Sequence, residues 1–233
     1  MNFKFSAMIL AAGFGKRMMP LTKDLPKPLI KINGITLLDN SIDFLKKLGC
    51  NEIIINTHYL YKKINESINK RDDKDQIKLI YENKILDTAG GVKNAASLFT
   101  HKNIMVINSD IFWRYENIND VKMLIQNYKD TKVSHLLLSE EIRSFGINKK
   151  DGDFILDKNK ILRFKKGDKI FYYTGLQMLK LNSLYHFSNN KLSFNRVWDY
   201  LIDNQKLCGQ IMKSNWYHVG DIHGLNIAKQ LDT

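Results

Sequence analysis

Residues 7–10 form a short apolar run that leads directly into a loop of small residues, Ala11-Ala12-Gly13-Phe14-Gly15. The run has no polar alternation, which is typical of a parallel strand covered by helices on both faces. In open α/β sheets, ligands bind beyond the carboxyl ends of such strands. Small residues at that edge let backbone N–H groups approach an anion closely. The segment therefore predicts an α/β fold with a phosphate-binding loop at the edge of its sheet.

Strand and helix patterns alternate through the first half of the chain. Residues 36–48 have the apolar spacing of an amphipathic helix, and Gly49 ends it. The same patterns predict strands at 52–56, 77–81 and 104–107, helices at 60–69 and 92–99, and a turn through residues 87–91. This βαβαβ order favours a mostly parallel sheet with helices on both faces.

The second half changes character. Residues 133–180 contain shorter β-type runs, with a hairpin predicted at 150–153, and helices are predicted at 194–205 and 222–231. We expect these strands to extend the sheet and to build an acceptor pocket beside the first half. The 233 residues contain no second apolar block and no proline-rich linker, so we predict one domain over 1–233.

Composition narrows the function classes. The net charge is +12, but the basic residues are spread along the chain, which indicates a solvated surface that favours anionic substrates. No clustered basic patch or basic-aromatic module points to a nucleic-acid partner. The sequence has only two cysteines and no signal peptide, which favours a cytoplasmic protein. It has no run of about 20 apolar residues, so we expect no membrane partner.

Two cations follow the glycine loop. Arg17 lies two residues beyond it, and Lys27 lies between Pro26 and Pro28, which restrict the backbone on both sides. Position 18 is Met, so GxGxxG is incomplete, and no GK[ST] follows. A glycine-rich turn alone is often only a tight turn. Together with Arg17 and Lys27, it predicts a phosphate-binding site.

An acidic residue follows the strand predicted at 104–107. Asp110 ends the sequence Asn108-Ser109-Asp110, at the same sheet edge as the glycine loop. Mg²⁺ often binds through one or two carboxylates plus substrate phosphates, so one aspartate here is sufficient. The alternative is a cap or turn residue. No Ser-His-Asp or Cys-His set is evident, and these features favour phosphoryl or nucleotidyl transfer through positioning and charge stabilisation.

At residues 7–30 the sequence AMILAAGFGKRMMPLTKDLPKPLI resembles the signature of sugar-1-phosphate nucleotidyltransferases. Within that family it is most similar to the short N-acetylmuramate-1-phosphate uridylyltransferases of cell-wall (peptidoglycan) recycling, over nearly the whole chain. Further matching segments lie at 86–91, 106–110, 152–154, 173–175, 194–199 and 216–220. The resemblance implies a three-layer α/β/α Rossmann-like fold with a mixed, mostly parallel sheet. It also implies a nucleotide-binding half at about 1–130 and a sugar-phosphate half at about 131–233.

The resemblance also implies roles for individual residues. Arg17 would hold the departing pyrophosphate, Lys27 would contact the phosphates during attack, and Asp110 would bind Mg²⁺. Nucleotide-binding positions would be Ala11, Ala12, Gly13, Gly15, Glu82, Asp87, Thr88 and Gly90, and sugar-phosphate positions would be Asn108, Asp153 and Gly175. The implied reaction is in-line attack of a sugar 1-phosphate on the α-phosphorus of a nucleoside triphosphate, without a covalent enzyme intermediate. The sequence leaves both a monomer and a homodimer open.

The chain departs from the family pattern at the second metal position. His218 stands where the family commonly has aspartate in W-x-D-V-G, and Asp221 follows. Mg²⁺ prefers oxygen to imidazole. Three interpretations compete: His218 contacts phosphate, Asp221 supplies the oxygen, or Asp110 acts with substrate oxygens and water. We favour the last, with His218 nearby; the structural alternative is that His218 packs beside Trp216.

A second departure is that no lysine motif for the sugar phosphate is obvious in the 139–150 region. Arg143, Arg163 and Lys165 are candidates by charge alone. Two alternative functions also remain: a GTP-dependent mannose- or heptose-1-phosphate guanylyltransferase, and a catalytically weak nucleotide-sugar sensor.

Overall fold

A computed structural model describes residues 3–128, 133–149, 151–157, 160–163 and 169–231. The strands are β1 (Ser6–Leu10), β2 (Lys31–Ile32), β3 (Ile35–Thr36), β4 (Ile53–Thr57), β5 (Ile77–Tyr81), β6 (Asn103–Asn108), β7 (Ile111–Phe112), β8 (Ser134–Glu140), β9 (Ser144–Phe145), β10 (Phe154–Asp157), β11 (Lys160–Arg163), β12 (Phe171–Lys180), β13 (Leu207–Ile211) and β14 (Trp216–His218). The helices are α1 (Leu37–Lys47), α2 (Tyr61–Asn69), α3 (Asp87–Asn94), α4 (Asn117–Asn127), α5 (Phe194–Asp203) and α6 (Ile222–Lys229).

The central sheet is mixed. Strands β5, β4, β1 and β6 lie side by side in this order and are all parallel. β12 then pairs antiparallel with β6 on one edge and with β8 on the other, and β13 runs parallel to β8. The β10–β11 hairpin joins the sheet at the start of β12. The parallel strands therefore present their carboxyl ends along one edge, next to the antiparallel strands of the second half.

Helices cover both faces of this sheet. On β1, Ala7 and Ile9 belong to a core that includes buried residues of α1, α2 and α4. Met8 points to the opposite face, into a core with buried residues of α3 and α5. Successive side chains of a strand alternate between faces, so an uninterrupted apolar run is buried on both sides. The three-layer α/β/α arrangement expected from the sequence is confirmed.

Helix α1 shows how local sequence sets these elements. The Thr36 hydroxyl accepts a hydrogen bond from the Asp39 N–H at 2.9 Å, which caps the first turn. Leu38, Ile42 and Leu45 are fully buried on one stripe of the helix. Beyond the helix, Gly49 has φ of 87°, a left-handed conformation that glycine adopts without strain.

The differences from the sequence prediction include the following three elements. The turn predicted through residues 87–91 is the beginning of α3, which starts at Asp87. The hairpin predicted at 150–153 lies instead between β10 and β11, and residue 150 is outside the described residues. Helix α4 was missed, although Ile118, Val121 and Leu124 form its buried stripe. The longest helices in the described ranges have 11 residues, so none of them spans a bilayer.

Glu52, just before β4, joins three segments. Its carboxylate accepts hydrogen bonds from the Ser6 hydroxyl, from the Thr100 N–H at 2.9 Å and hydroxyl at 3.0 Å, and from Lys78 Nζ at 3.2 Å. Burial raises the pKa of Glu52, but these hydrogen bonds outweigh it and lower the pKa to about 2. The ionised carboxylate therefore stabilises the folded state.

We expect this stabilisation to depend on pH. Because the folded pKa lies below the unfolded one, the contribution is complete above about pH 4.5 and is lost as pH falls toward 2. Allowing for partial exposure, it is on the order of 2 kcal/mol. Urea unfolding at stepped pH should show that Glu52→Gln lowers stability at pH 7 and flattens the decline between pH 5 and 2. The control Glu66→Gln, at an exposed position of α2, should behave as wild type; equal pH curves for both variants would contradict the assignment.

Candidate active site

The loop after β1 has room for a ligand. A Cβ at Gly13 would meet no heavy atom within 4 Å, so the backbone there is open to approach. Gly15 has φ of 65°, and a Cβ on it would lie 3.0 Å from Thr22 and 3.2 Å from Lys27. The Gly15 carbonyl accepts a hydrogen bond from the Thr22 hydroxyl at 2.9 Å. Glycine at 15 therefore lets the loop fold back and bring Lys27 beside it.

A first cleft of about 480 Å³ lies along the carboxyl ends of β5, β4, β1 and β6. It brings together most of the nucleotide and phosphate positions expected from the sequence. Its lining includes Ala11, Ala12, Gly13, Gly15, Arg17, Lys27, Glu82, Asp87, Thr88, Asn108 and Asp110. Gly90 does not line this cleft.

A second cleft of about 490 Å³ adjoins the first. It contains the expected sugar-phosphate positions Asn108, Asp153 and Gly175, together with His218 and Asp221. Arg17 and Asn108 line both clefts. Two ligands bound side by side would therefore meet at these two residues.

Lys27 and Asp110 form an ion pair at the inner end of the first cleft. Lys27 Nζ lies 2.8 Å from Asp110 Oδ2 and donates to the Gly220 carbonyl at 3.3 Å. His218 Nε2 is 3.5 Å from the same carboxylate oxygen. Burial raises the pKa of Asp110, but the Lys27 ammonium and the His218 ring outweigh it and hold the pKa well below its usual range. Asp110 is thus ionised at neutral pH.

The donor atoms around Asp110 fit a Mg²⁺ ion. Asp110 Oδ1 is buried and has no hydrogen-bond partner among the described residues, which leaves an anionic oxygen free for a cation. Within those residues, no three His, Cys, Asp or Glu side chains come together. The set suits an ion that takes one protein carboxylate and completes its shell with substrate oxygens and water.

Asp221 caps helix α6. Its Oδ1 accepts from the Gly224 N–H at 2.9 Å and caps α6, and its Oδ2 accepts from Asn148 Nδ2 at 3.1 Å. Burial raises its pKa, whereas these two hydrogen bonds and the His218 and Arg17 charges lower it overall. Of the sequence interpretations of the second metal position, the geometry therefore favours Asp110 with His218 nearby.

Glu82 and Asn56 form a buried pair under the glycine loop. Asn56 Oδ1 accepts from the Ala11 N–H at 3.0 Å, and Asn56 Nδ2 donates to Glu82 Oε1 at 2.7 Å. Glu82 Oε2 accepts from the Leu86 N–H at 3.0 Å. Both carboxylate oxygens of Glu82 thus accept hydrogen bonds. In this structure Glu82 therefore positions Asn56, which holds the glycine loop at Ala11, and the backbone at Leu86. Sequence reasoning missed Asn56, although a polar residue at the end of a buried strand was a usable signal.

Two of the three cations considered by charge for the sugar phosphate, Arg143 and Arg163, line neither cleft. Arg163 donates to Asp199 at 2.7 Å and lies over the Phe154 ring. Lys165 is outside the described residues. The second cleft contains Lys149 instead, with Nζ 2.5 Å from Asp153 Oδ1. Lys149 was missed although it lies within the 139–150 region, and its spacing of four residues from Asp153 was a usable signal.

Comparison with known proteins gives the family. Residues 6–233 match the family described as Nucleotidyl transferase. The chain is 28% identical over 222 residues to N-acetylmuramate alpha-1-phosphate uridylyltransferase from Caulobacter vibrioides, which covers 92% of this chain and 91% of that protein. It is 26% identical over 160 residues to D-glycero-alpha-D-manno-heptose 1-phosphate guanylyltransferase from Aneurinibacillus thermoaerophilus, over 69% of this chain and 66% of that protein.

A solved structure supports the fold. HddC from Yersinia pseudotuberculosis, complexed with GMP-PN, matches with a TM-score of 0.78 at 23% identity, over 97% of this chain and 98% of that one. The resemblance that the glycine loop and its downstream segments indicated is confirmed, since the family match extends over nearly every residue. The chain belongs to the nucleotidyl transferase family.

Proposed function

We propose that this chain couples UTP to N-acetylmuramate 1-phosphate, releasing pyrophosphate, as a cytoplasmic step of peptidoglycan recycling. The observation that carries the proposal is the pair of adjoining clefts, which share Arg17 and Asn108 and have the Lys27–Asp110 ion pair in the first. The uridylyltransferase from Caulobacter vibrioides supports the choice of substrates, because it matches over most of both chains.

Lys27, Arg17 and Asp110 have separate roles in the proposed transfer reaction. A sugar-phosphate oxygen attacks the α-phosphorus in line, a new P–O bond forms, and the bond to pyrophosphate breaks with its electron pair leaving on pyrophosphate. Lys27 neutralises charge on the transferring phosphate, and Arg17, which lines both clefts, holds the leaving pyrophosphate. Asp110 would hold Mg²⁺, which when bound supplies further neutralisation of the phosphate oxygens.

A guanylyl transfer to mannose or heptose 1-phosphate is the second candidate. The match to the heptose 1-phosphate guanylyltransferase from Aneurinibacillus thermoaerophilus favours it. The glycine loop, Lys27 and Asp110 serve either nucleotide, since they lie at the phosphate end of the cleft.

Pyrophosphate release decides between the candidates. The full chain would be assayed with Mg²⁺ and UTP, GTP, CTP or dTTP against a panel of sugar 1-phosphates. We expect turnover with UTP and N-acetylmuramate 1-phosphate. Turnover only with GTP would establish the guanylyl alternative, and nucleotide binding without turnover on any pair would favour a sensor.

A glycine substitution tests the second cleft. Gly175 has φ of 83°, and a Cβ there would lie 3.0 Å from the Asn108 side chain and 3.1 Å from Ile111. Gly175→Ala should displace Asn108 and raise the KM for sugar phosphate about tenfold. The Kd for UTP should rise less, because Gly175 itself lines only the second cleft although Asn108 lines both. Steady-state kinetics and calorimetry measure the two effects.

The matched control is Gly49→Ala, at φ of 87° in open space. Like Gly175→Ala, this variant introduces backbone strain of about 1–2 kcal/mol, but position 49 lies outside both clefts. A KM that changes equally in both variants would show that lost stability, and not the position of Asn108, causes the effect.

A further inference from the structure

The first cleft has two chemically different ends. It crosses β5, β4, β1 and β6, whose spacing of about 4.8 Å places the β5 end roughly 14 Å from the β6 end. Lys27 and Asp110 lie at the β6 end. Ile85, Asp87 and Thr88, which follow β5, line the other end. A nucleotide whose phosphates meet Lys27 therefore places its base toward residues 85–88.

The segment of residues 187–193 is held rigidly against this base end. The Gly90 N–H donates to the Leu192 carbonyl at 2.8 Å, and the Leu192 N–H donates to the Leu86 carbonyl at 2.9 Å. The Phe194 N–H, just beyond the segment, donates to the Thr88 hydroxyl at 2.9 Å, and Lys93 Nζ donates to the Phe187 carbonyl at 2.5 Å. These contacts tie the segment to α3 from both sides.

Gly90 makes this close approach possible. A Cβ at Gly90 would lie 2.4 Å from the Asn190 carbonyl oxygen and 3.0 Å from the Leu192 nitrogen. The glycine predicted to bind nucleotide thus contacts the segment that carries Lys191 to the edge of the cleft.

The anchored segment presents one cation to the cleft. Lys191 lines the cleft, is exposed, and has no hydrogen bond or ion pair with any described residue. Asp87 lines the same end; its Oδ1 accepts from the Thr88 N–H at 2.7 Å, and its Oδ2 has no partner within the described ranges. A donor-only ammonium and a free acceptor oxygen therefore border the base end of the cleft.

We propose that Lys191 and Asp87 select a base that carries a keto oxygen beside a ring N–H. This inference rests on the proposed nucleotidyl transfer; it adds Lys191 and gives a specific role to Asp87, which the family resemblance already implies as a nucleotide-binding position. Uracil, thymine and guanine present that pattern, so the ammonium donates to the keto oxygen and the carboxylate accepts from the ring N–H. Cytosine and adenine present an amino group beside a ring nitrogen without a proton. The Lys191 ammonium would then face another donor, and the Asp87 carboxylate would face another acceptor.

Direct binding tests the inference without requiring turnover. Calorimetric Kd values would be measured for UTP, GTP, CTP and ATP with the full chain. We expect the wild type to bind UTP or GTP at least about tenfold more tightly than CTP and ATP, because a mismatched base leaves two groups unpaired. Lys191→Met should reduce the ratio of keto to amino binding to about threefold or less.

Asp87→Asn is the complementary variant. Its amide oxygen can still accept from the Thr88 N–H, while the other side-chain position becomes a donor, so CTP binding should improve relative to UTP. Lys62→Met, at an exposed position of α2 outside both clefts, is the control and should keep the wild-type ratio.

Each outcome has a separate meaning. Equal weakening of all four nucleotides by Lys191→Met would overturn base selection and assign Lys191 to the phosphates. Unchanged ratios in both variants, or wild-type preference for CTP or ATP, would also overturn it while leaving nucleotidyl transfer intact. Selective UTP binding without pyrophosphate release would support the inference and contradict only the proposed reaction. Failure to bind any nucleotide would overturn both.

Discussion

Replacing Lys27 with methionine should lower kcat by about 10²–10³-fold while weakening nucleotide binding by less than tenfold. Methionine keeps the length of the side chain but removes the ammonium that lies 2.8 Å from Asp110 Oδ2. If Lys27 neutralises charge that develops during transfer, its loss affects the transition state more than the bound triphosphate. Pyrophosphate release at saturating substrates, together with calorimetric binding of the nucleotide, separates these effects.

The same substitution leaves the Asp110 carboxylate without its cation. Breaking a buried ion pair by removing one partner costs about 3 kcal/mol, so the melting temperature of Lys27→Met should fall. Kinetics must therefore be measured well below that temperature. Lys23→Met, at an exposed position of the same loop, should keep both stability and turnover. A kcat loss of less than tenfold in folded Lys27→Met would show that Lys27 is structural only.

Gly146→Ala should strongly destabilise the folded state. The backbone at Gly146 has φ of 77°, and a Cβ there would lie 2.1 Å from the His218 carbonyl oxygen and 2.9 Å from the Gly224 Cα. Left-handed strain contributes about 1–2 kcal/mol and the overlap with backbone another 1–3 kcal/mol. We therefore expect stability to fall by about 3–4 kcal/mol, measured by urea unfolding.

A substitution at Gly34 separates the backbone strain from the steric overlap at Gly146. Gly34 has φ of 88° in the turn between β2 and β3, but a Cβ there would meet nothing within 4 Å. Gly34→Ala should therefore lose only the strain of about 1–2 kcal/mol. Equal losses of unfolding free energy in the two variants would show that the backbone around His218 moves away from the added Cβ at no cost. The overlap at Gly146 would then not contribute to stability.

The features that the sequence predicted well are local. The strand before the glycine loop, the helix stop at Gly49 and the position of Asp110 after β6 follow from residues a few positions apart. Hydrophobic burial on both faces of a parallel strand requires an uninterrupted apolar run, and that signal is strong. The clefts then follow from topology, because parallel strands end at one edge.

The features that the sequence missed depend on distant partners. Asn56 acts through Ala11 and Glu82, which are 45 and 26 residues away. Lys191 reaches the first cleft only because its segment packs against α3, far away along the chain. The turn assigned to residues 87–91 is helical because glycine there lets α3 approach Asn190, an advantage that outweighs the low helix propensity of glycine.

The ten residues of β12 have a consequence for how the protein can move. This strand pairs with β6, which borders the first cleft, and with β8 and β10, which belong to the second half of the chain. Because β12 itself belongs to the second half, a hinge rotation of one half against the other would have to break its hydrogen bonds with β6. A closing motion that keeps this sheet intact would therefore come from the loops around the clefts.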